Sequence, residues 1–278
     1  MPELPEVETV RRVLEPQLCG RRVDELVVNR PDVIAHPSAD VFRDSVTSST
    51  IRCLKRRGKF LKMFLDNGSQ IVVHLRMTGQ LLVTPPGFPL MPHTHLVFRL
   101  DNGNELRFTD VRRFGRMWLI ANDEDDGISG IERLGPEPLE EGFDSHHLEK
   151  SLAKRHISVK QGLLDQGVVA GIGNIYSDEI LFEANINPGR QTSDLKNVEW
   201  ETLTKAIIKV LEEAIANNSV SAEEYLASGG REYRNNPNFK VYGREGEVCP
   251  RCGTTIERTK IAGRSSFCCP RCQPHITS

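Results

Sequence analysis

Residues 249–272 hold Cys249-Pro250-Arg251-Cys252, then sixteen residues, then Cys269-Pro270-Arg271-Cys272. Each Cys-x-x-Cys pair presents two sulfurs from one tight turn, and two such turns close a tetrahedron. Structural zinc takes four ligands in that geometry, with sulfur at about 2.3 Å and no open position. A single pair would also suit a redox dithiol; two matched pairs favour metal. Cys268 is spare, and the paired spacing selects Cys269. The expected ligands are therefore Cys249, Cys252, Cys269 and Cys272, holding one Zn2+ per chain. The segment is too short to bury a core of its own, so metal binding would supply much of its folding energy.

The same stretch carries Arg251, Arg258, Lys260, Arg264 and Arg271 against one acid, Glu257, a balance suited to a phosphate backbone. Two more basic clusters lie upstream. Between Ile51 and Lys62 stand Arg52, Lys55, Arg56, Arg57, Lys59 and Lys62 with no acid, and Arg112, Arg113 and Arg116 follow later. The whole chain of 278 residues has a formal net charge of only -2. The counterweight is local: residues 119–149 hold ten acids and one base. A near-neutral protein with one basic face and an acidic connector reconciles these counts, and binding through such a face would weaken steeply with salt.

Outward from the tail, the pattern divides the chain. Val7, Val10 and Leu14 repeat at helical spacing over 5–15, with Pro5 in a first turn and Pro16 as a terminator or kink. From about 22 to 121, short apolar runs alternate with turn signals such as Asp66-Asn67-Gly68 and Asp101-Asn102-Gly103-Asn104, which reads as a β-sandwich. Asp123-Glu124-Asp125-Asp126 and Gly135-Pro136-Glu137-Pro138 mark an exposed connection. Helical periodicity returns from about 145 to 228, with the stripe Leu203, Ile207, Ile208, Leu211 and Ile215. Gly171-Ile172-Gly173-Asn174 precedes a helix; the pattern suits a plain turn first, and second an anion held at the helix N-terminus. With 38% hydrophobic and 27% charged residues and no apolar run near ~18 residues, no membrane span is expected. The acidic start Met1-Pro2-Glu3-Leu4-Pro5-Glu6 is unlike a secretory leader, which makes a cytoplasmic location the expectation.

Met1-Pro2-Glu3 has two readings, the plain start of a helix or a nucleophilic terminus. Removing Met1 would expose a secondary amine. An α-amino group titrates near ~7.8 against ~10.4 for lysine, so far more of it is unprotonated at neutral pH. Such an amine attacks an electrophilic carbon and forms an iminium. Glu3 and Glu6 are close enough in sequence to move protons.

Met1 to Val10, Arg57-Gly58-Lys59-Phe60, His74-Leu75-Arg76-Met77, Asp110 to Gly115, Gly173-Asn174-Ile175-Tyr176, Val241-Tyr242-Gly243-Arg244 and the four-cysteine tail stand in an order that resembles the formamidopyrimidine-DNA glycosylase family over essentially the whole chain. The resemblance implies an α+β multidomain protein: an N-terminal β-sandwich with flanking helices (1–135), a helix-two-turns-helix domain (136–240) and a zinc finger (241–278). It implies a bacterial, nucleoid-associated monomer that binds damaged double-stranded DNA, excises oxidised purines and cleaves the strand by β- and δ-elimination. Pro2 would be the nucleophile, Glu3 the proton donor to the opening sugar, Glu6 its support, Lys59 a proton donor in β-elimination and Arg264 in δ-elimination. His74, His93, Arg112, Arg155, Lys160 and Asn174 match DNA-contacting positions. Met77, Arg112 and Phe114 match the residues that fill the gap left by an extruded nucleotide. By residue type alone, Met77 and Phe114 also suit a core, and His74 or His93 a structural histidine. Gly229 to Lys240 would form the loop over the flipped base; its Arg231-Glu232-Tyr233-Arg234-Asn235-Asn236 run is unusually polar. That composition keeps an endonuclease VIII-like taste for oxidised pyrimidines or abasic sites as an alternative, and a non-catalytic zinc protein for damaged DNA as the alternative outside enzymes.

Overall fold

The computed structural model describes residues 1–121, 127, 129–231 and 238–275. The chain forms two compact units, one from 1–132 with 218–235 and the other from 133–217 with 236–278. The three-part division expected from sequence differs in two respects. The cysteine tail folds with the preceding helices, and the segment from 218 returns to the first unit. The acidic run Asp123 to Asp126 and Glu232 to Asn236 of the polar loop lie outside the described residues.

The first unit opens with α1 (Leu4–Leu18). The helix runs through Pro16 instead of stopping there, because that residue falls in the last turn, where only one helical hydrogen bond is forfeited. Nine strands follow: β1 (Val23–Val28), β2 (Ile34–His36), β3 (Ile51–Arg57), β4 (Phe60–Leu65), β5 (Gln70–His74), β6 (Gly79–Thr84), β7 (Thr94–Leu100), β8 (Glu105–Asp110) and β9 (Arg116–Ile120). They make a four-stranded sheet ordered β1-β7-β8-β6 and a five-stranded sheet ordered β2-β9-β5-β4-β3. Leu81, Phe98, Leu106 and Phe108 of one sheet share a core with Leu61, Met63, Val73 and Met117 of the other, joined by Val7, Val10 and Leu14 of α1. This is the sandwich the alternation signalled.

A short helix, α2 (Ala39–Val46), interrupts the region where the sequence pattern predicts only strands. Ser38 caps it by accepting from Val41 N, and Phe42 and Val46, one turn apart, are its buried side chains. Two apolar residues are too few to register as a period, which is why only the cap betrays it.

The second unit contains α3 (Ser145–Leu152), α4 (Val159–Leu164), α5 (Asn174–Glu183) and α6 (Asn197–Asn217); α7 (Ala222–Ala227) belongs to the first unit, where Tyr225 enters the sandwich core. The second unit ends in the hairpin of β10 (Glu257–Ile261) and β11 (Arg264–Cys268). Its turn, Ala262-Gly263, has φ of 48° and 77°, the left-handed pair that a two-residue hairpin needs. Among the described residues no helix is long and apolar enough to cross a membrane.

Candidate functional site

In the first unit the chemistry begins at the N-terminus. Met1 is 47% exposed and Pro2 is buried behind it, so removal of Met1 uncovers an amine held against the protein. Glu3 is the N-cap of α1. Its carboxylate accepts from the backbone N–H of Glu6, and Glu6 in turn accepts from Glu3 N at 2.8 Å. This reciprocal box satisfies two orphan donors of the helix end and fixes both carboxylates. Asn218 donates to the second oxygen of Glu6 at 3.4 Å. Glu3 and Glu6 are 2% and 4% exposed, so each is oriented by protein and not by water.

Lys59 occupies the two-residue turn between β3 and β4, after Gly58 at φ 55°. A left-handed first position is what such a turn demands of its backbone. The next residue, Phe60, faces His74 across β4 and β5, with the rings edge-on at 4.6 Å. His74 is buried, and desolvation, with the charges of Arg76 and Lys59, pushes its imidazole down to about 3. It is therefore neutral at any physiological pH. Its Nδ1 accepts from Arg76 N at 3.0 Å, which leaves the single proton on Nε2, a donor for an anion that brings no charge of its own.

Met77, Arg112 and Phe114 form one exposed group. Met77 and Phe114 are 43% and 48% exposed, so neither is a core residue. The Arg112 guanidinium lies 4.7 Å from the Phe114 ring centre and donates to the Met77 sulfur at 3.1 Å. Sequence reasoning missed what builds this group: Asp110, which is fully buried. Its Oδ1 accepts from Arg112 N at 3.1 Å and from the Thr78 hydroxyl, and its Oδ2 accepts from Gly115 N at 2.7 Å. One carboxylate thus pins the loops after β5 and β8. Arg76 and Arg113 in those loops, and His93 before β7, have φ of 52°, 57° and 62°. Non-glycine residues persist there only where their surroundings over-determine them. Gly115 has no choice of side chain, since a Cβ would lie 2.7 Å from Phe108 Cζ. His93 is exposed, and its carbonyl accepts from Asp110 N at 3.1 Å.

In the second unit Asn174 is the first residue of α5, after Gly173 as an N-cap with no side-chain bond. Its Oδ1 is buried with no hydrogen-bond partner among the described residues. Gln166, a further residue that sequence reasoning passed over, shapes the loop by accepting from Gly171 N at 3.1 Å and donating to Ile172 O at 2.8 Å. Arg155 is exposed and paired with Asp165 at 2.9 Å. Arg264 is exposed at the start of β11.

Lys160 corrects the expectation. It is 0% exposed, and its ammonium donates to Asp178 at 2.7 Å and to Ser265 O at 2.9 Å. The charge is spent inside the protein, tying α4 to α5 and β11, and offers no surface to a phosphate. Arg251 is likewise engaged, with Glu183, with Asn185 at 2.9 Å and over the Phe182 ring at 4.3 Å. The basic face is thinner than residue counts suggested. Glu179 adds an anchor of its own, accepting from the backbone of Lys240, Val241 and Tyr242 at 2.8 to 2.9 Å.

The sulfurs of Cys249, Cys252, Cys269 and Cys272 all lie within 4.8 Å of one another. Zinc–sulfur bonds of ~2.3 Å in a tetrahedron put sulfurs about 3.8 Å apart; Cys249 to Cys272 is 3.9 Å and Cys252 to Cys269 is 3.4 Å. Backbone N–H groups of Arg251 and Cys272 point at the Cys249 and Cys269 sulfurs, each at 3.4 Å. The donor set fits one structural zinc ion. Cys268 is outside the cluster, and burial pushes its thiol up to about 11. Ile256, Phe267, Val241 and Phe182 pack beside the ligands as a small core. Replacing Cys269 by serine is expected to release zinc and unfold the hairpin, measured as metal lost to a chromogenic chelator together with protease cleavage within 249–272; retention of both metal and resistance would refute the assignment.

Three family descriptions match in order: the formamidopyrimidine-DNA glycosylase N-terminal domain over 1–117, the formamidopyrimidine-DNA glycosylase H2TH domain over 134–224, and the zinc finger found in FPG and IleRS over 246–274. The formamidopyrimidine-DNA glycosylase of Moorella thermoacetica is 48% identical over 260 residues, covering 94% of this chain and 95% of that one. The Lactococcus lactis Fpg in complex with abasic-site DNA superposes with a TM-score of 0.89 at 34% identity, covering 98% and 100%. The same protein with FAPY-dG containing DNA gives 0.88 at 35%, again covering 98% and 100%. Identity of this order across sandwich, helices and finger together leaves one assignment: the chain belongs to the formamidopyrimidine-DNA glycosylase family.

Proposed function

We propose that this protein is a base-excision repair enzyme, a bifunctional DNA glycosylase and abasic-site lyase for oxidised purines such as formamidopyrimidine and 8-oxoguanine. The observation that carries the reading is the N-terminus: a proline buried behind an exposed Met1, beside a glutamate locked at the cap of α1. With Met1 removed, the Pro2 nitrogen attacks C1′ of the damaged nucleotide, and the bond from C1′ to the base breaks with its electron pair going to the base, which takes up the proton the nitrogen sheds. Glu3 gives a proton to the ring oxygen as the sugar opens, and the nitrogen–carbon iminium forms. The iminium draws electrons from C2′, so loss of a C2′ proton expels the 3′ phosphate, and a second elimination expels the 5′ phosphate. Lys59 and Arg264 serve as proton donors in these two steps, and Glu6 keeps Glu3 in place. Cys249, Cys252, Cys269 and Cys272 would hold zinc with no open position, so the ion would brace the finger that carries Arg264 and take no part in the reaction.

Reaching C1′ requires the nucleotide to leave the stack, at about a few kcal/mol. Met77 and Phe114 offset that loss as wedges, and Arg112 offers its paired donors to the orphaned base. His74, His93, Arg155 and Asn174 contact the backbone, the first as a neutral donor. One chain would act as a monomer, in the cytoplasm with the nucleoid.

Incubation of the processed protein with an 8-oxoguanine duplex and borohydride is expected to trap a covalent adduct through Pro2. No adduct, with Met1 verified as absent, would overturn the nucleophile. A parallel panel of oxidised-pyrimidine and abasic duplexes ranks the lesions and tests the endonuclease VIII-like alternative. Binding to damaged duplex without any turnover would instead support the non-catalytic reading.

A further inference from the structure

Arg56 stands in the basic run that reads as a phosphate-binding strip, yet its side chain is only 9% exposed. Its Nε lies 3.4 Å from Glu8 Oε2, an ion pair without hydrogen-bond geometry, and its NH1 donates to Gly58 O at 3.2 Å. Glu8 is in α1, five residues after Glu3, about 7.5 Å along the helix axis at 1.5 Å per residue. Gly58 immediately precedes Lys59. One guanidinium therefore joins the helix that begins at Pro2 to the turn that carries Lys59. Glu8 is itself firmly held: Arg11 donates to it at 2.8 Å and Arg12 at 2.8 Å. Burial pushes its carboxyl up, but those two hydrogen bonds and the charges of Arg11 and Arg56 outweigh burial and leave it below its ordinary value. The Glu8 end of the link is a fixed, charged anchor.

We infer that Arg56 is a positioning residue for the lyase step, holding the β3–β4 turn and Lys59 in register with the nucleophile on α1. The inference rests on the reading of Lys59 as the β-elimination proton donor. Arginine suits the task, since one rigid guanidinium holds the Gly58 carbonyl by a hydrogen bond through one nitrogen while another sits within ion-pair distance of the Glu8 carboxylate. A lysine ammonium has a single nitrogen and would hold one partner well at the expense of the other. Because Arg11 and Arg12 also pair with Glu8, truncation of Arg56 leaves that carboxylate compensated, and the fold is expected to persist.

The test separates two steps of one reaction on an abasic duplex: the rate of borohydride trapping, which reports iminium formation at Pro2, and the rate of strand cleavage, which reports elimination. For Arg56→Met, trapping is expected within about twofold of wild type while cleavage slows by about tenfold to a hundredfold, the scale of a displaced catalytic group. Arg56→Lys should fall between the two, and thermal melting of both variants should stay near wild type. Equal loss of trapping and cleavage with a lowered Tm would make Arg56 a merely structural brace and overturn the inference. So would unchanged cleavage in Arg56→Met beside slowed cleavage in Lys59→Met. If Lys59→Met itself cleaves normally, the reading of Lys59 fails, and the inference falls with it.

Discussion

Glu3→Gln is expected to slow excision of 8-oxoguanine by about two to four powers of ten, the range of a positioned general acid, while cleavage at a pre-formed abasic site falls far less. The substitution is close to isosteric. The glutamine carbonyl oxygen still accepts from Glu6 N, so the cap of α1 and the reciprocal bond from Glu3 N to Glu6 persist. Only the transferable proton is lost. Glu3 is 2% exposed, so bulk water has no easy route to replace it. An abasic sugar already samples its open aldehyde, which Pro2 attacks without help at the ring oxygen. Single-turnover rates on the two duplexes measure the contrast. Equal losses on both would assign Glu3 to Pro2 or to substrate binding, and no loss on 8-oxoguanine would move the acid to another residue.

What the sequence made legible was what neighbours in the chain determine. The zinc ligands follow from two local spacings, the β-strands from alternation and turn residues, and α1 from its period and its Pro5 start. The pairing of Glu3 with Glu6 is a local motif too, three residues apart. The residues that organise the site across the chain left no such signal. Asp110 was visible only inside a family motif, although its carboxylate holds Thr78, Arg112 and Gly115 together. Glu179 receives three backbone donors from residues 61 to 63 positions away. Charge counting failed for a related reason. Arg56, Lys160 and Arg251 each count as cations in sequence, but Glu8, Asp178 and Glu183 absorb them in the fold. A carboxylate and its partner find each other through tertiary structure, and periodicity is blind to that. The one available hint was two acids, Asp178 and Glu179, leading into the apolar run Ile180-Leu181-Phe182 of a helix that buries them all.

The Lys160–Asp178 pair carries the largest stability prediction. Both side chains are 0% exposed. Asp178 Oδ1 accepts from Lys160 Nζ at 2.7 Å and Ser266 Oγ at 2.9 Å, and Oδ2 accepts from Phe267 N at 3.0 Å. Lys160→Met is expected to cost about 3–5 kcal/mol, because it leaves a buried carboxylate without its counter-charge. Lys160→Met with Asp178→Leu should recover most of that loss, since the desolvation of both charges disappears together. Burial already pushes the Asp178 carboxyl up to about 6, against the pull of Lys160 and its hydrogen bonds. Without Lys160 it rises further. A carboxyl with a folded pKa above its unfolded value binds more protons in the folded chain, so stability falls as pH climbs between the two values, at roughly 1.4 kcal/mol per pH unit. The deficit of Lys160→Met relative to wild type should therefore be small near pH 5 and grow toward pH 8, read by urea unfolding across that range. A deficit that is flat with pH, or that shrinks as pH rises, would mean the carboxylate found another partner. Because Lys160 also donates to Ser265 O, next to Arg264 at the start of β11, the variant should lose δ-elimination before it loses base excision, as the strand presenting Arg264 loosens ahead of the rest.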